Sequence, residues 1–340
     1  MATPETSPKA TTVSVGTRRH ALVAAVGIQN ISLLAAIAIL GLVIGSQQSA
    51  FFRVANLEVI GTSIAILGVL AFAETVVILI GGLDISIGSQ AGLASIITAM
   101  VFSSTGSAVA GVAAALVVGV VAGVLNGVII VYGRVNAVIA TLATYAAYRG
   151  IANLISNGRA QGYTGQDPFF VFLARGHIAG IPVLIWIFLI VGAAIYTLLR
   201  ATDIGRNIYA IGGNATASRL AGIRLNTYVV AAYALMGVVA VIAGVLLTAR
   251  TGSGQPTSGS QGLELQAITA AALGGAALRG GKGSVIGTGL AVVLLGMLTN
   301  GLQVLGVNSF WQDITQGALL VGAVVLQQKR RGSRAVGLPA

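Results

Sequence analysis

The sequence predicts an all-α, polytopic transmembrane helical bundle of about ten spans, with both termini in the cytoplasm. Three observations predict it. Only 8% of the 340 residues are charged and 56% are hydrophobic, against about 25% charged in a soluble domain. Such a chain lacks a surface suited to water, and hydrocarbon is the solvent that fits it. Apolar runs of roughly bilayer length follow one another, with no alternating strand pattern between them. The 47 glycines are small residues of the kind that let membrane helices approach closely.

Residues 1–20 are polar, with Pro4, Pro8, Lys9, Arg18, Arg19 and His20, and are expected to form a disordered cytoplasmic tail. The apolar run after them is too long for a typical signal-peptide core and lacks a clear cleavage site, which favours an uncleaved first span. Spans are predicted at 21–45, 56–80, 85–104, 108–131, 136–156, 180–199, 227–249, 263–279, 284–306 and 310–327. Each approaches the roughly 20 apolar residues needed to cross. The fifth contains Arg149 and Asn153, and the eighth contains Glu264 and Gln266, so both are expected inside the bundle. Residues 21–327 thus form one membrane domain, and 328–340 a basic cytoplasmic tail.

With the N-terminus inside, 14 of the 19 Lys and Arg residues fall in cytoplasmic segments, the expected positive-inside bias. The net charge of +11 sits between apolar runs, so it reads as a topology signal and as contacts for anionic lipid headgroups. Nucleic acid is not expected as a partner, because no aromatic and basic platform is present. The absence of cysteine excludes disulfides and thiolate sites. The two histidines, His20 and His177, lie too far apart to build a catalytic metal cluster.

Glycines at helical spacing, Gly119, Gly123 and Gly127 in the fourth span and Gly41 and Gly45 in the first, predict flat faces for close helix packing. The turn between spans two and three holds Gly81, Gly82, Asp84, Ser86 and Gly88. Its glycines permit a sharp reversal, and Asp84 can cap the next helix. In the long inside loop, 200–226, Asn214 can cap a short helix through Ala215, Ala217 and Leu220 that Gly222 stops. Such a structured connector suits docking on a cytoplasmic partner.

At these motifs the chain resembles the permeases of bacterial ribose-type ABC importers, within the branched-chain amino acid and sugar permease superfamily. The turn GGLDISIGS, the stretch 133–158, the loop GRNIYAIGGNATASRLAGI and the segment 273–307 carry the resemblance, which covers roughly residues 50–327. It implies a non-catalytic, multi-pass subunit of the bacterial plasma (inner) membrane that passes a simple sugar. It also implies a second permease subunit, identical or similar, an external sugar-binding protein, and cytoplasmic ATPase subunits that hold the ATP and Mg²⁺. No cofactor is expected on this chain. Gly205, Arg206, Gly212, Gly213, Asn214, Ala217, Arg219 and Gly222 match the family's ATPase-coupling segment. Branched-chain amino acid permeases share the architecture, but their turn usually has Asn where this chain has Asp84.

Gly281-Lys282-Gly283-Ser284 superficially suggests a P-loop. The pattern requires Gly where Ala276 stands and Ser or Thr where Gly283 stands, so energy is expected from another chain. Glu74 and Arg149 lie inside predicted spans, where a lone charge costs about 2.5–3.5 kcal/mol on insertion scales. Their opposite signs predict an intramembrane pair. Asn126, Tyr145, Asn153, Asn300 and Gln303 are candidate pathway residues, because sugar hydroxyls need modest hydrogen-bonding groups. Arg159, Asp167, Arg175 and Arg250, predicted outside, are candidates for meeting the binding protein. An ion-coupled secondary transporter would need more intramembrane titratable groups than Glu74 and Glu264. A membrane enzyme would need a catalytic constellation that two distant histidines do not provide.

Overall fold

The computed structural model describes residues 28–331; the predicted tail at 1–20 and the end of the basic tail, 332–340, lie outside them. In chain order the helices are α1 (Ile28–Gln47), α2 (Val54–Leu79), α3 (Ile87–Thr105), α4 (Ala108–Val131), α5 (Ala137–Ser156) and α6 (Pro168–Arg175). A two-stranded antiparallel hairpin follows, β1 (His177–Ile178) and β2 (Ile181–Pro182). Then come α7 (Val183–Ala201), α8 (Asp203–Gly213), α9 (Ala215–Leu220), α10 (Leu225–Thr251), α11 (Leu263–Leu273), α12 (Val285–Val304) and α13 (Ser309–Arg331). Among the described residues, eight helices are long and apolar enough to cross a membrane: α1 to α5, α7, α10 and α12. Each falls on a predicted span.

α2 is apolar on every side, and a helix of that pattern belongs at the centre of a bundle. It packs against α7, α10, α11 and α12, with nearly all of its second half buried. Against it and α3 lies α10, which in turn crosses α4 at close range. At Gly119, Gly123 and Gly127 an added Cβ would strike the backbone of α10, at the Gly237 carbonyl oxygen (2.7 Å), the Tyr233 carbonyl oxygen and the Val230 Cα (2.7 Å) respectively. The glycine row predicted from spacing is thus the seam of an intramolecular crossing.

The eighth predicted span, 263–279, is corrected. α11 has only 11 residues, about 16 Å of helix against about 30 Å of hydrocarbon. Gly275, Gly280 and Gly281, all at positive φ, turn the chain away after it. A leg of bends and turns, 253–262, leads into α11 by running along α3. Gly254 lies on Ser95, Ile96 and Ala99, the Pro256 carbonyl faces Gly92, and the Ser260 carbonyl faces Gly88. A short helix reached through this leg stands where the hydropathy of 263–279 suggests a full span.

Contacts define two ends of the bundle. At the loop end, the Gly281 N–H donates to the Leu79 carbonyl (2.9 Å) and the Tyr209 hydroxyl donates to the Gly283 carbonyl (3.1 Å). At the hairpin end, Gln161 and Gly254 exchange backbone hydrogen bonds of 3.0 and 2.8 Å, and Arg250 donates to Ser63 Oγ (3.0 Å).

Candidate functional site

The turn between α2 and α3 closes on a fully buried polar knot. Gly81 sits at φ +92° and makes the reversal, while Gly82 leaves room for the Tyr233 hydroxyl, which a Cβ would approach to 2.6 Å. Asp84 Oδ1 accepts from the Ser86 N–H (2.8 Å) and from the Ser86 hydroxyl (2.6 Å). The carboxylate therefore closes an Asx turn just ahead of α3, two residues before the cap position, which Ser86 occupies. The Gln90 and Asn126 amides donate to Ser86 Oγ (2.7 and 2.8 Å). The Tyr148 hydroxyl donates to Asn126 Oδ1 (3.2 Å) and to the Ala122 carbonyl (2.9 Å). The Tyr233 hydroxyl donates to the Leu83 carbonyl (3.1 Å). One turn thereby ties α3, α4, α5 and α10 together.

The predicted Glu74–Arg149 pair is not formed. Glu74 Oε1 accepts from the Asp84 N–H (3.2 Å) and stays on the α2 side of the knot. Arg149 reaches this leg, donating through one terminal nitrogen to the Pro256 carbonyl and to Ser260 Oγ, both at 2.6 Å. Its guanidinium lies 5.6 Å from the Tyr145 ring centre, and Asn153, one turn on, accepts from Thr257 (3.4 Å). Tyr145, Arg149 and Asn153 recur every fourth residue, so they share one face of α5, and that face clamps the leg. Gly88 and Gly92 of α3 make the room. A Cβ at Gly92 would sit 2.7 Å from the Pro256 oxygen, and one at Gly88 would overlap the Glu264 carboxylate. Spacing gave no hint of this partnership, because the leg is 107 residues from Arg149 in sequence.

The remaining pathway candidates scatter. Asn126 belongs to the knot. Asn300 and Asn56 exchange amide hydrogen bonds of 2.9 and 3.0 Å near the hairpin end, and Gln303 is exposed there. No single path gathers all five. Of the outer-loop charges, Asp167 caps α6 by accepting from Phe169 and Phe170 N–H groups (3.0 and 3.2 Å). Arg250 is held by Ser63.

The long loop at the loop end folds into α8 and α9. As the sequence suggests, Asn214 caps α9 by accepting the Ala217 N–H at 3.0 Å, and Gly222 ends the segment at φ +83°. Residues 203–213 add a helix, α8, that the glycines concealed. Gly205 and Gly212 face inward: a Cβ would strike the Leu199 and Leu79 carbonyl oxygens respectively. They seat α8 on α7 and α2 and do not themselves face outward, which corrects their expected place on a docking surface. Arg206 pairs with Asp203. Gly213, Asn214, Ala217, Arg219 and Leu220 are exposed, and Leu220 is 85% accessible. α9 is thus a six-residue helix fixed at its start and bare along its outer face.

Residues 56–324 match the profile of the family described as branched-chain amino acid transport system / permease component. The chain belongs to this family. The ribose import permease RbsC of Escherichia coli strain K12 is 38% identical over 300 residues, covering 88% of this chain and 93% of that protein. RbsC of Bacillus subtilis strain 168 is 38% identical over 86% of this chain and 90% of its own length. The L-arabinose transport system permease AraH of E. coli K12 is 38% identical over 83% of this chain and 85% of that protein. No solved structure matches. This permease is a multi-pass membrane protein. The knot, the clamp and the exposed α9 are parts of a transport subunit.

Proposed function

We propose that this permease is the membrane-spanning subunit of an ATP-driven importer for a simple sugar of the ribose type, in the bacterial inner membrane. The observation that carries the reading is its similarity, along nearly the whole chain, to ribose import permeases. The exposed, capped α9 supports the rest. On this reading the driving energy comes from another chain, and α9, with Ala217 and Arg219 outward and Gly213 and Asn214 exposed just ahead of it, is the surface for an ATPase subunit. ATP and Mg²⁺ sit on that partner. α8 transmits the contact inward, because Gly212 rests on the end of α2 and on Gly281. The loop end is cytoplasmic. The hairpin end receives sugar from an external binding protein, and a second permease subunit completes the pathway.

The test is uptake of labelled ribose by proteoliposomes that hold the permease, its ATPase and its binding protein. Uptake that needs internal ATP, with unlabelled ribose competing better than arabinose, supports the reading. Stronger competition by arabinose redirects the substrate, in line with the AraH similarity. Uptake driven by an ion gradient without ATP contradicts the proposal.

A further inference from the structure

The loop end holds a polar feature that neither the knot nor the clamp uses. A cleft of about 800 Å³ lies between the α4–α5 turn and the start of α10, lined by Val131, Tyr132, Arg134, Arg219, Arg224 and Asn226 among others. The three arginines are all exposed. Among the described residues the close contacts between basic and acidic side chains are His177 with Glu58 and Arg206 with Asp203, so no described carboxylate neutralises this cluster. Arg134 holds its place at φ 55°, a left-handed conformation uncommon for arginine.

We propose that this cleft binds the phosphate-bearing headgroup of an anionic lipid, with its acyl chains running along α4. The charge is right for it, since clustered arginines at a membrane face attract anionic headgroups. The position is right as well. Apart from the buried Asn126, α4 is apolar up to Val131, and Tyr132, 68% exposed, follows where an aromatic ring prefers the interface. The deciding feature is a track. Val117, Val121, Leu125 and Val128 are exposed and fall on one side of α4, leading toward the cleft. A free phosphate would use the arginines and ignore the track; a lipid uses both. Arg219 and Arg224 flank the end of the docking segment, so a seated headgroup would tether α9 to the α4–α5 turn.

The test is native mass spectrometry of the full-length purified chain with added phosphatidylglycerol or phosphatidylcholine. Its readout is lipid retention and does not depend on the importer reading. The variant is Arg134→Asn with Arg224→Gln; asparagine tolerates the left-handed backbone, and Arg219 is left to the docking helix. Wild type should retain phosphatidylglycerol at least about tenfold better than phosphatidylcholine, and the variant should lose roughly 25-fold, from two basic contacts. Val121→Ser with Leu125→Ser should weaken lipid retention with all three arginines intact. Equal retention of the two lipids, or unchanged retention by the arginine variant, overturns the proposal. Displacement of the lipid by excess inorganic phosphate, with no effect of the serine pair, overturns it too and leaves a free-anion site.

Discussion

Replacing Arg149 with methionine keeps an apolar stem and removes the clamp. Two charged hydrogen bonds are lost, to the Pro256 carbonyl and Ser260 Oγ, both 2.6 Å long. Bonds of this kind contribute about 1.5–3 kcal/mol each, or about 3–6 kcal/mol together. Part of that returns, because Arg149 Nε and the second terminal nitrogen are buried without partners, at about 1 kcal/mol each in a residue that is only partly buried. A net loss of about 1–4 kcal/mol should fall on the docking of residues 253–262. Hydrogen exchange by mass spectrometry in nanodiscs reads it directly. Amides of the leg should exchange about 5- to 800-fold faster, with the α4–α10 crossing unchanged. Glu74→Gln should leave the leg alone, and the double variant should show coupling below about 0.5 kcal/mol. Unchanged protection in the leg, or strong coupling to Glu74, would refute the clamp.

Gly123→Val drives a side chain into the Tyr233 carbonyl of α10. It should cost about 1–3 kcal/mol or more. Because the chain has no cysteine, a cysteine pair introduced across α4 and α10 reports the separation as lost crosslinking. Asp84→Ala strands the buried Ser86 N–H and should lower the melting midpoint more than Asp84→Asn, which keeps an acceptor, by about 1–3 kcal/mol; equal midpoints would count against the knot. Asn214→Ala removes the α9 cap. It should cost about 1 kcal/mol of local helix stability and lower sugar-stimulated ATP hydrolysis by the assembled transporter without lowering permease yield.

What the sequence made legible depended on local physics. Bilayer length located eight helices. The Gly119, Gly123 and Gly127 spacing located a close crossing, because a helix face is a local property. Asn214 and Gly222 marked both ends of α9, since a cap acts within three residues. Long-range pairing was hidden. Arg149 and Glu74 look alike as lone charges, and nothing along the chain says that one reaches a leg 107 residues away and the other a turn. The hydropathy of 263–279 reads as a span because the alanine-rich α11 and the glycine turn after it are both apolar. α8 was missed because Gly205, Gly212 and Gly213 resemble a loop until Gly205 and Gly212 are seen against neighbouring backbone. Gln90, Tyr148, Tyr233 and Ser260 join the site only through tertiary contacts, so no motif announced them.

The most direct test of the transport account is gentle affinity purification of the permease from native membranes, wild type beside Gly213→Arg. Gly213 is exposed and an added Cβ meets nothing within 4 Å, so the variant alters the docking surface and leaves the fold in place. The account predicts that an ATPase subunit accompanies the wild type and is lost from a variant of equal yield and melting midpoint. No ATPase with the wild type, even after crosslinking, would contradict it.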